Sequence, residues 1–173
     1  MNLSHVLLIL FWVGFCALHS IFAAIPVKQW IKSKLKDNYR FYRKSYVVFA
    51  LATFAAIVWY QFNMNQMVLF EAPLFLKIIT GITGSIAAII IVLYILRYFR
   101  SFLNEPLATV GEAKPLVTSG AYKYVRHPLY IVTFVFIWSA FVFLPWLSSL
   151  ICVVIVTTYT ILAIPLEEKK LVM

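Results

Sequence analysis

Long uninterrupted apolar stretches constrain this chain more than any other feature of its sequence. Five stretches reach or approach the roughly 20 residues with which an α-helix crosses about 30 Å of hydrocarbon: residues 3–25, 46–62, 74–96, 129–144 and 146–166. Because 64% of the residues are hydrophobic and only 12% are charged, one small core cannot hide the apolar surface. The sequence therefore predicts an all-α, polytopic membrane protein with five transmembrane helices, in a single integral membrane domain over residues 1–173.

The predicted spans differ in length and in how they are joined. The spans over 46–62 and 129–144 are short, so helix tilt or local thinning of the bilayer must accommodate them. Pro145 alone separates the last two spans, which predicts a tight helical hairpin. The first stretch is expected to be a permanent span, since no basic region precedes it as in a signal peptide. The third span carries small residues at helical spacing, which let a neighbouring helix approach closely: Gly81, Gly84, Ser85 and Ala88.

The positions of Lys and Arg orient the chain in the bilayer. Basic residues crowd the connection between the first two spans, the connection after the third span and the C-terminus, whereas residues 61–73 contain none. Because cytoplasmic loops carry the excess of Lys and Arg, this alternation predicts an outside N-terminus and a cytoplasmic C-terminus. The net charge of +9 sits beside the apolar stretches, so the lipid bilayer is the expected partner and nucleic acid is not.

The longest polar connection, residues 97–128, is where chemistry is expected. Pro128 suits the first position of the fourth span, where its missing N–H costs nothing, and it favours an extended His127 before it. Arg126 and His127 would therefore lie at a helix N-terminus, beside unpaired backbone N–H groups and the positive end of the helix dipole. This arrangement predicts an anion site at the membrane surface.

The hairpin should return two adjacent carboxylates, Glu167 and Glu168, to the neighbourhood of Arg126 and His127. One interpretation is a solvated cytoplasmic end with a weak surface ion pair. The other is a polar pocket with an anion-binding half and a cation-binding half, suited to a zwitterionic, nucleotide-like ligand. Its predicted walls are three tyrosines: Tyr122, Tyr124 and Tyr130. Spacing alone leaves both interpretations open.

Three motifs resemble the isoprenylcysteine carboxyl methyltransferase family and its bacterial relatives. They are Leu116-Val-Thr-Ser-Gly-Ala-Tyr122, then Arg126-His-Pro-Leu-Tyr130, and then Glu167-Glu168 followed by Leu171. Upstream, Leu18-His19-Ser20 before the basic connection and Tyr39-Arg40 after it resemble the bacterial branch that contains thiol methyltransferases and denitrification-associated membrane proteins. This branch implies a bacterial inner membrane as the location.

The resemblance implies an S-adenosylmethionine-dependent methyltransferase with a cofactor site near the C-terminus. It implies that His127 and the helix N-terminus hold the methionine carboxylate, that tyrosines and Leu116 flank the adenine, and that Glu167 is catalytic, near the transferred methyl group and the acceptor. No metal is implied. The residues implied to line the cofactor site are Lys114, Pro115, Leu116, Val117, Tyr122, Arg126, His127, Pro128, Leu129, Tyr130 and Glu168.

Two departures from the family bear on the acceptor. Ala163 stands where the carboxyl methyltransferases carry an arginine that engages the acceptor carboxylate, four residues before the paired glutamates. The missing arginine disfavours an isoprenylcysteine carboxylate as the acceptor. The class of small or lipophilic, membrane-partitioning acceptors stays open: a thiol, an amine, a lipid or another carboxylate. Relatives also continue past the position of Met173 with an aromatic-rich segment, so a truncated sequence, a more open pocket or a lost activity are the expected alternatives.

Two other functions compete with methyl transfer. Sterol reductases resemble the family in the same terminal region, so an NADPH-dependent membrane reductase is the second hypothesis. A transporter or a non-catalytic membrane accessory protein is the third. Transport is disfavoured because the spans carry almost no ionisable residue at mid-depth and show no inverted repeat.

Overall fold

The computed structural model describes residues 2–104 and 123–171, and these form six α-helices and no β-strand longer than an isolated bridge. The helices are α1 (Leu3–Ala23), α2 (Ile25–Leu35), α3 (Tyr39–Asn63), α4 (Leu74–Asn104), α5 (Pro128–Phe143) and α6 (Leu147–Leu171), with a 3₁₀ turn (Lys36–Asn38) before α3. The all-α, polytopic fold is confirmed.

Four of the described helices contain a stretch long and apolar enough to cross a membrane: Leu3–Ala23, Lys44–Asn63, Leu74–Arg97 and Leu147–Pro165. The remaining predicted span is α5, an apolar helix of 16 residues. At 1.5 Å per residue α5 is about 24 Å long, which is less than the roughly 30 Å of a typical hydrocarbon core. The short fourth span that the sequence predicts is thus present as a helix.

Within the described residues the chain divides into two compact units, residues 2–64 with 98–104 and residues 65–97 with 123–171. In the first unit α1 packs against α3. Trp12 of α1 is 3% exposed, and its indole N–H donates to the side-chain oxygen of Gln61 in α3 at 3.1 Å. Leu8 and Ile57 are buried in the same unit. Because an unpaired indole N–H is costly away from water, this bond ties α1 to α3.

The helix α2 replaces part of what the sequence presents as a basic loop. α1 ends because Ala24 is extended, and α2 then begins with Pro26 in its first turn, where proline is tolerated. Lys32 and Lys34 occupy its last turn, where positive charge stabilises the carbonyl end of the helix dipole. α2 ends at Leu35, because the next residue, Lys36, has a φ of 47°, which does not permit the helix to continue.

In the second unit, the α5–α6 connection is as tight as Pro145 predicts. The connection also pairs with the segment that precedes α4: the Leu69 N–H donates to the Pro145 carbonyl at 2.8 Å, and the Leu147 N–H donates to the Met67 carbonyl at 2.9 Å. The Ser148 hydroxyl donates to the side-chain oxygen of Gln66 at 2.6 Å. The α3–α4 connection and the hairpin turn therefore lie at the same end of this unit.

Small residues of α4 allow α5 to approach it. A Cβ atom on Gly84 would lie 3.3 Å from the Ser139 Cβ, and one on Gly81 would lie 3.3 Å from the ring of Phe143. The Thr83 and Ser139 hydroxyl oxygens are 3.1 Å apart, within hydrogen-bond distance. The small-residue stripe predicted on the third span is thus a helix-packing surface at both of its glycines.

Candidate functional site

The helix α5 begins at Pro128, as the Arg-His-Pro sequence predicts. His127 is the N-cap, with φ −125° and ψ 65°, so its ψ falls short of the extended conformation expected before proline. The first hydrogen bond of the helix joins the Ile131 N–H to the His127 carbonyl at 3.3 Å. The Leu129 N–H lies ahead of this bond and has no acceptor among the described residues. The helix therefore presents a donor and its positive dipole end to a ligand.

The C-terminal part of α6 brings a carboxylate to this helix end. The Glu168 Oε1 atom lies 3.5 Å from His127 Nε2 and 3.6 Å from a terminal guanidinium nitrogen of Arg126. The exposed fractions of the side chains are 41% for Glu168, 18% for His127 and 84% for Arg126. The expected proximity of the second glutamate to the basic helix end is therefore present, and Glu168 faces two potential cations.

The His127 ring is held in place by stacking, but one of its nitrogen atoms has no hydrogen-bond partner among the described residues. It stacks on the ring of Tyr130, with centroids 5.4 Å apart and planes 15° from parallel. Its Nε2 atom is buried and makes no hydrogen bond in the described part of the chain, and the 3.5 Å contact with Glu168 is longer than an ordinary hydrogen bond. A buried, unpaired ring nitrogen fixed by stacking is a position where a ligand atom can complete the hydrogen bond.

The predicted site residues fall into three groups. The structure brings Arg126, His127, Tyr130 and Glu168 together with the buried Pro128 around the start of α5. Tyr124, a predicted wall of the pocket, is 81% exposed, with the Lys123 ammonium 5.8 Å from the centre of its ring. Five others lie outside the described residues: Lys114, Pro115, Leu116, Val117 and Tyr122.

Glu167, predicted to be catalytic, is described only as a backbone position in α6, next to Glu168. Ala163 lies one helical turn before it and is half-buried. Residues four apart share a face of a helix, so Ala163 lies on the same face as Glu167 and brings no charge to it. The ligand roles assigned to all these residues stay predictions.

The first unit contains a polar pair to which the sequence assigns no function. The Tyr46 hydroxyl in α3 lies 3.1 Å from His19 Nδ1 in α1, and the His19 ring stacks on Phe15. The signal in the sequence is weak, since a histidine and a tyrosine 27 residues apart are paired only by the packing of α1 on α3. Both residues line an apolar cavity between α1 and α3.

Comparison with known proteins gives two matches. Residues 78–173 match the model of the isoprenylcysteine carboxyl methyltransferase (ICMT) family. The chain is also similar to methanethiol S-methyltransferase 1 from Bradyrhizobium diazoefficiens, with 29% identity over 166 residues, which is 91% of this chain and 56% of the relative. The chain thus spans about half the length of this curated relative. No solved structure matches the chain.

Proposed function

Because the chain belongs to the isoprenylcysteine carboxyl methyltransferase family, we propose that it is an integral membrane enzyme that transfers a methyl group from S-adenosylmethionine to a small thiol. The observation that carries this proposal is the buried, unpaired His127 Nε2 at the start of α5, opposite the Glu168 carboxylate. The family match favours methyl transfer over the reductase and accessory alternatives.

The charges around the start of α5 fit the amino-acid end of S-adenosylmethionine. Its carboxylate would be held by His127 Nε2, the Leu129 N–H and the positive end of the helix dipole. Its ammonium would be held by Glu168, which now faces Arg126 and His127. Both charges of the ligand would thus meet an opposite charge or a dipole, and the buried ring nitrogen would gain an acceptor.

When bound, S-adenosylmethionine supplies a methyl group already activated by its positive sulfur. The protein therefore has to align the acceptor and exclude water. A thiol has an ordinary pKa of about 8.5, and its thiolate is the nucleophile, so the thiol proton needs a base. We assign this base to Glu167: its carboxylate would take the thiol proton as the acceptor sulfur gained the methyl group, and the sulfonium would leave as a neutral thioether.

The relative acts on methanethiol by its name, and the acceptor side of this site favours the same class of molecule. Ala163 offers no positive charge on the face of α6 that carries Glu167. A carboxylate acceptor would therefore lose its hydration without gaining a cation, which is costly. A small neutral thiol that partitions into the bilayer avoids this cost.

The proposed orientation has an outside N-terminus, a cytoplasmic C-terminus and a bacterial inner membrane as its location. It rests on the alternation of basic and bare connections along the sequence. The contact between the bare α3–α4 connection and the hairpin turn supports it, since both are expected on the outer side. The start of α5 and the end of α6 would then face the cytoplasm.

Equilibrium binding to the purified protein, measured by calorimetry with S-adenosylmethionine and with NADPH, tests the cofactor. We expect S-adenosylmethionine to bind at about micromolar concentration and NADPH not to bind. His127→Ala should abolish binding while the protein stays folded in detergent. Lys123→Ala is the control, since it removes a neighbouring positive charge that lies over Tyr124. Binding of NADPH alone, or of neither ligand, would contradict the proposal.

Transfer of a labelled methyl group tests the acceptor. Small alkyl thiols should accept the label, and carboxylic acids and alcohols of the same size should not. Glu167→Gln should leave cofactor binding intact and slow the transfer by about 10²- to 10⁴-fold, the usual contribution of a general base. Equal labelling of thiols and carboxylates would refute the acceptor class, and an unchanged rate in Glu167→Gln would refute the assigned base.

A further inference from the structure

The first unit contains an apolar groove between α1 and α3, far along the chain from the start of α5. Its volume is about 320 Å³, which is within the range of about 300–1,000 Å³ typical of ligand pockets. Among the described residues its lining comes from α1 and α3, and lining residues such as Leu10 and Phe49 are exposed.

The part of the groove around Gly14 is open, and the Thr53 hydroxyl in its lining already has an acceptor. A Cβ atom on Gly14, which lines the groove, would meet nothing within 4 Å. The Thr53 hydroxyl lines it as well but donates back to the Phe49 carbonyl of its own helix at 2.7 Å. Because a cavity without polar partners does not hold ordered water, a hydrocarbon chain is the occupant that suits it.

One end of the groove is polar. His19, near the end of α1, and Tyr46, near the start of α3, lie 3.1 Å apart and both line the groove. The chain passes from α1 into α2 within a few residues, and α2 contacts both α1 and α3. The helix α2 contains Lys28, Lys32 and Lys34 and no acidic residue. A positively charged helix thus adjoins α1 and α3 where the chain leaves the polar end of the groove.

We propose that this groove is a binding site for an anionic phospholipid. One acyl chain lies between α1 and α3, and the phosphate group meets His19, Tyr46 and Lys28. Charge complementarity favours this occupant, because an apolar slot whose polar end adjoins the lysine-bearing helix α2 matches a lipid whose headgroup carries net negative charge. A zwitterionic lipid, or a helix of a second copy, would fill the slot but would not match its charged end. The site does not depend on the proposed methyl transfer.

Native mass spectrometry of the full chain in detergent tests the groove. Phosphatidylglycerol and phosphatidylcholine with identical acyl chains are titrated separately, and bound lipid is counted on the intact protein. Wild type should bind phosphatidylglycerol more tightly than phosphatidylcholine. Ala50→Leu fills the groove and should weaken phosphatidylglycerol binding at least about fivefold. Because leucine is as apolar as a lipid tail, this loss would reflect the changed shape of the groove and not its hydrophobicity.

Ala52→Leu is the matched control for this substitution. Ala52 lies on the same helix and is exposed, but it does not line the groove. It should bind both lipids as wild type does. Lys28→Gln should remove the preference for phosphatidylglycerol while leaving phosphatidylcholine binding unchanged, because it changes the headgroup end alone. Gly14→Leu fills the groove from α1 and is used in place of Ala50→Leu if that variant unfolds. A Cβ atom at Gly14 would meet nothing within 4 Å.

Three outcomes would overturn the proposal. If Ala50→Leu and Gly14→Leu both bind phosphatidylglycerol as wild type does, the lipid binds elsewhere. If wild type binds the two lipids equally, the charged end does not select the headgroup. If wild type is a dimer that Ala50→Leu dissociates without any change in bound lipid, a second copy of the chain fills the groove. None of these results affects binding of S-adenosylmethionine.

Discussion

Replacing Glu168 by glutamine separates what this carboxylate contributes to the fold from what it contributes to a ligand. Glu168 is 41% exposed, and its contacts with His127 and Arg126 are 3.5 and 3.6 Å long. Exposed ion pairs of this kind contribute about 0–1 kcal/mol to folding. Glutamine keeps the size of the side chain, so the free energy of unfolding should change by less than about 1 kcal/mol.

The effect on the cofactor should be larger, because the proposed partner of Glu168 is the ammonium of S-adenosylmethionine. A hydrogen bond to a charged group contributes about 1.5–3 kcal/mol. Its loss corresponds to roughly a 10- to 150-fold weaker dissociation constant. S-adenosylhomocysteine carries the same ammonium and should lose affinity equally. 5′-Methylthioadenosine lacks the amino-acid end and should bind the variant as it binds wild type.

Calorimetric titration of the three ligands, with thermal unfolding of both proteins in detergent, measures all of these quantities. The ligand without the amino-acid end is the internal control, since any general distortion of the site would weaken it too. An unchanged dissociation constant for S-adenosylmethionine in Glu168→Gln would refute the assigned role. Equal weakening of 5′-methylthioadenosine would show that Glu168 acts through the shape of the site.

Three further experiments test the fold and the orientation. Gly84→Leu forces bulk into the α4–α5 contact and should cost about 1–3 kcal/mol in thermal or denaturant unfolding; unchanged stability would contradict this close packing. Trp12→Phe removes the bond to Gln61 and should cost about 0.6–1.7 kcal/mol, with a Gln61→Leu double-mutant cycle isolating the pair; a coupling energy of zero would refute it. In intact cells, a membrane-impermeant maleimide should label Glu71→Cys before α4 but not Ser33→Cys on α2, and the reverse pattern would invert the proposed orientation.

The elements that the sequence predicts well are those set by local chemistry. The apolar stretches become helices because only a helix satisfies its own backbone in lipid. Pro145 forces the hairpin, and Pro128 places His127 at a helix cap because proline belongs in the first turn. The small residues of α4 predict a packing surface, and the glycines within them do face α5. Each of these features needs only residues within one turn or one span.

Features that depend on how separate helices pack were not predictable in this way. The helix α2 has neither a long apolar stretch nor a side-chain cap, so a cluster of lysines there reads equally well as a loop. The pairing of His19 with Tyr46, and the groove beside them, exist only because α1 lies against α3. No periodicity in either helix alone specifies this contact, since residues paired across two helices leave no regular spacing in the sequence.

The contact between His127 and Glu168 lies between these two cases. The hairpin predicts that the end of α6 returns to the side of the membrane where α5 begins, and this direction follows from Pro145 alone. The distance does not follow in the same way. α5 has 16 residues and is about 24 Å long, whereas the rise along α6 from Leu147 to Glu168 is about 32 Å. Two straight antiparallel helices would therefore place the Glu168 backbone about 8 Å beyond the start of α5. Pro165 in α6, one turn before Glu168, removes a backbone hydrogen bond and eases a bend there. The reach of the two side chains and the relative tilt of the helices cover the offset in the 3.5 Å contact, and both depend on how α5 packs on α6 rather than on residues within either helix.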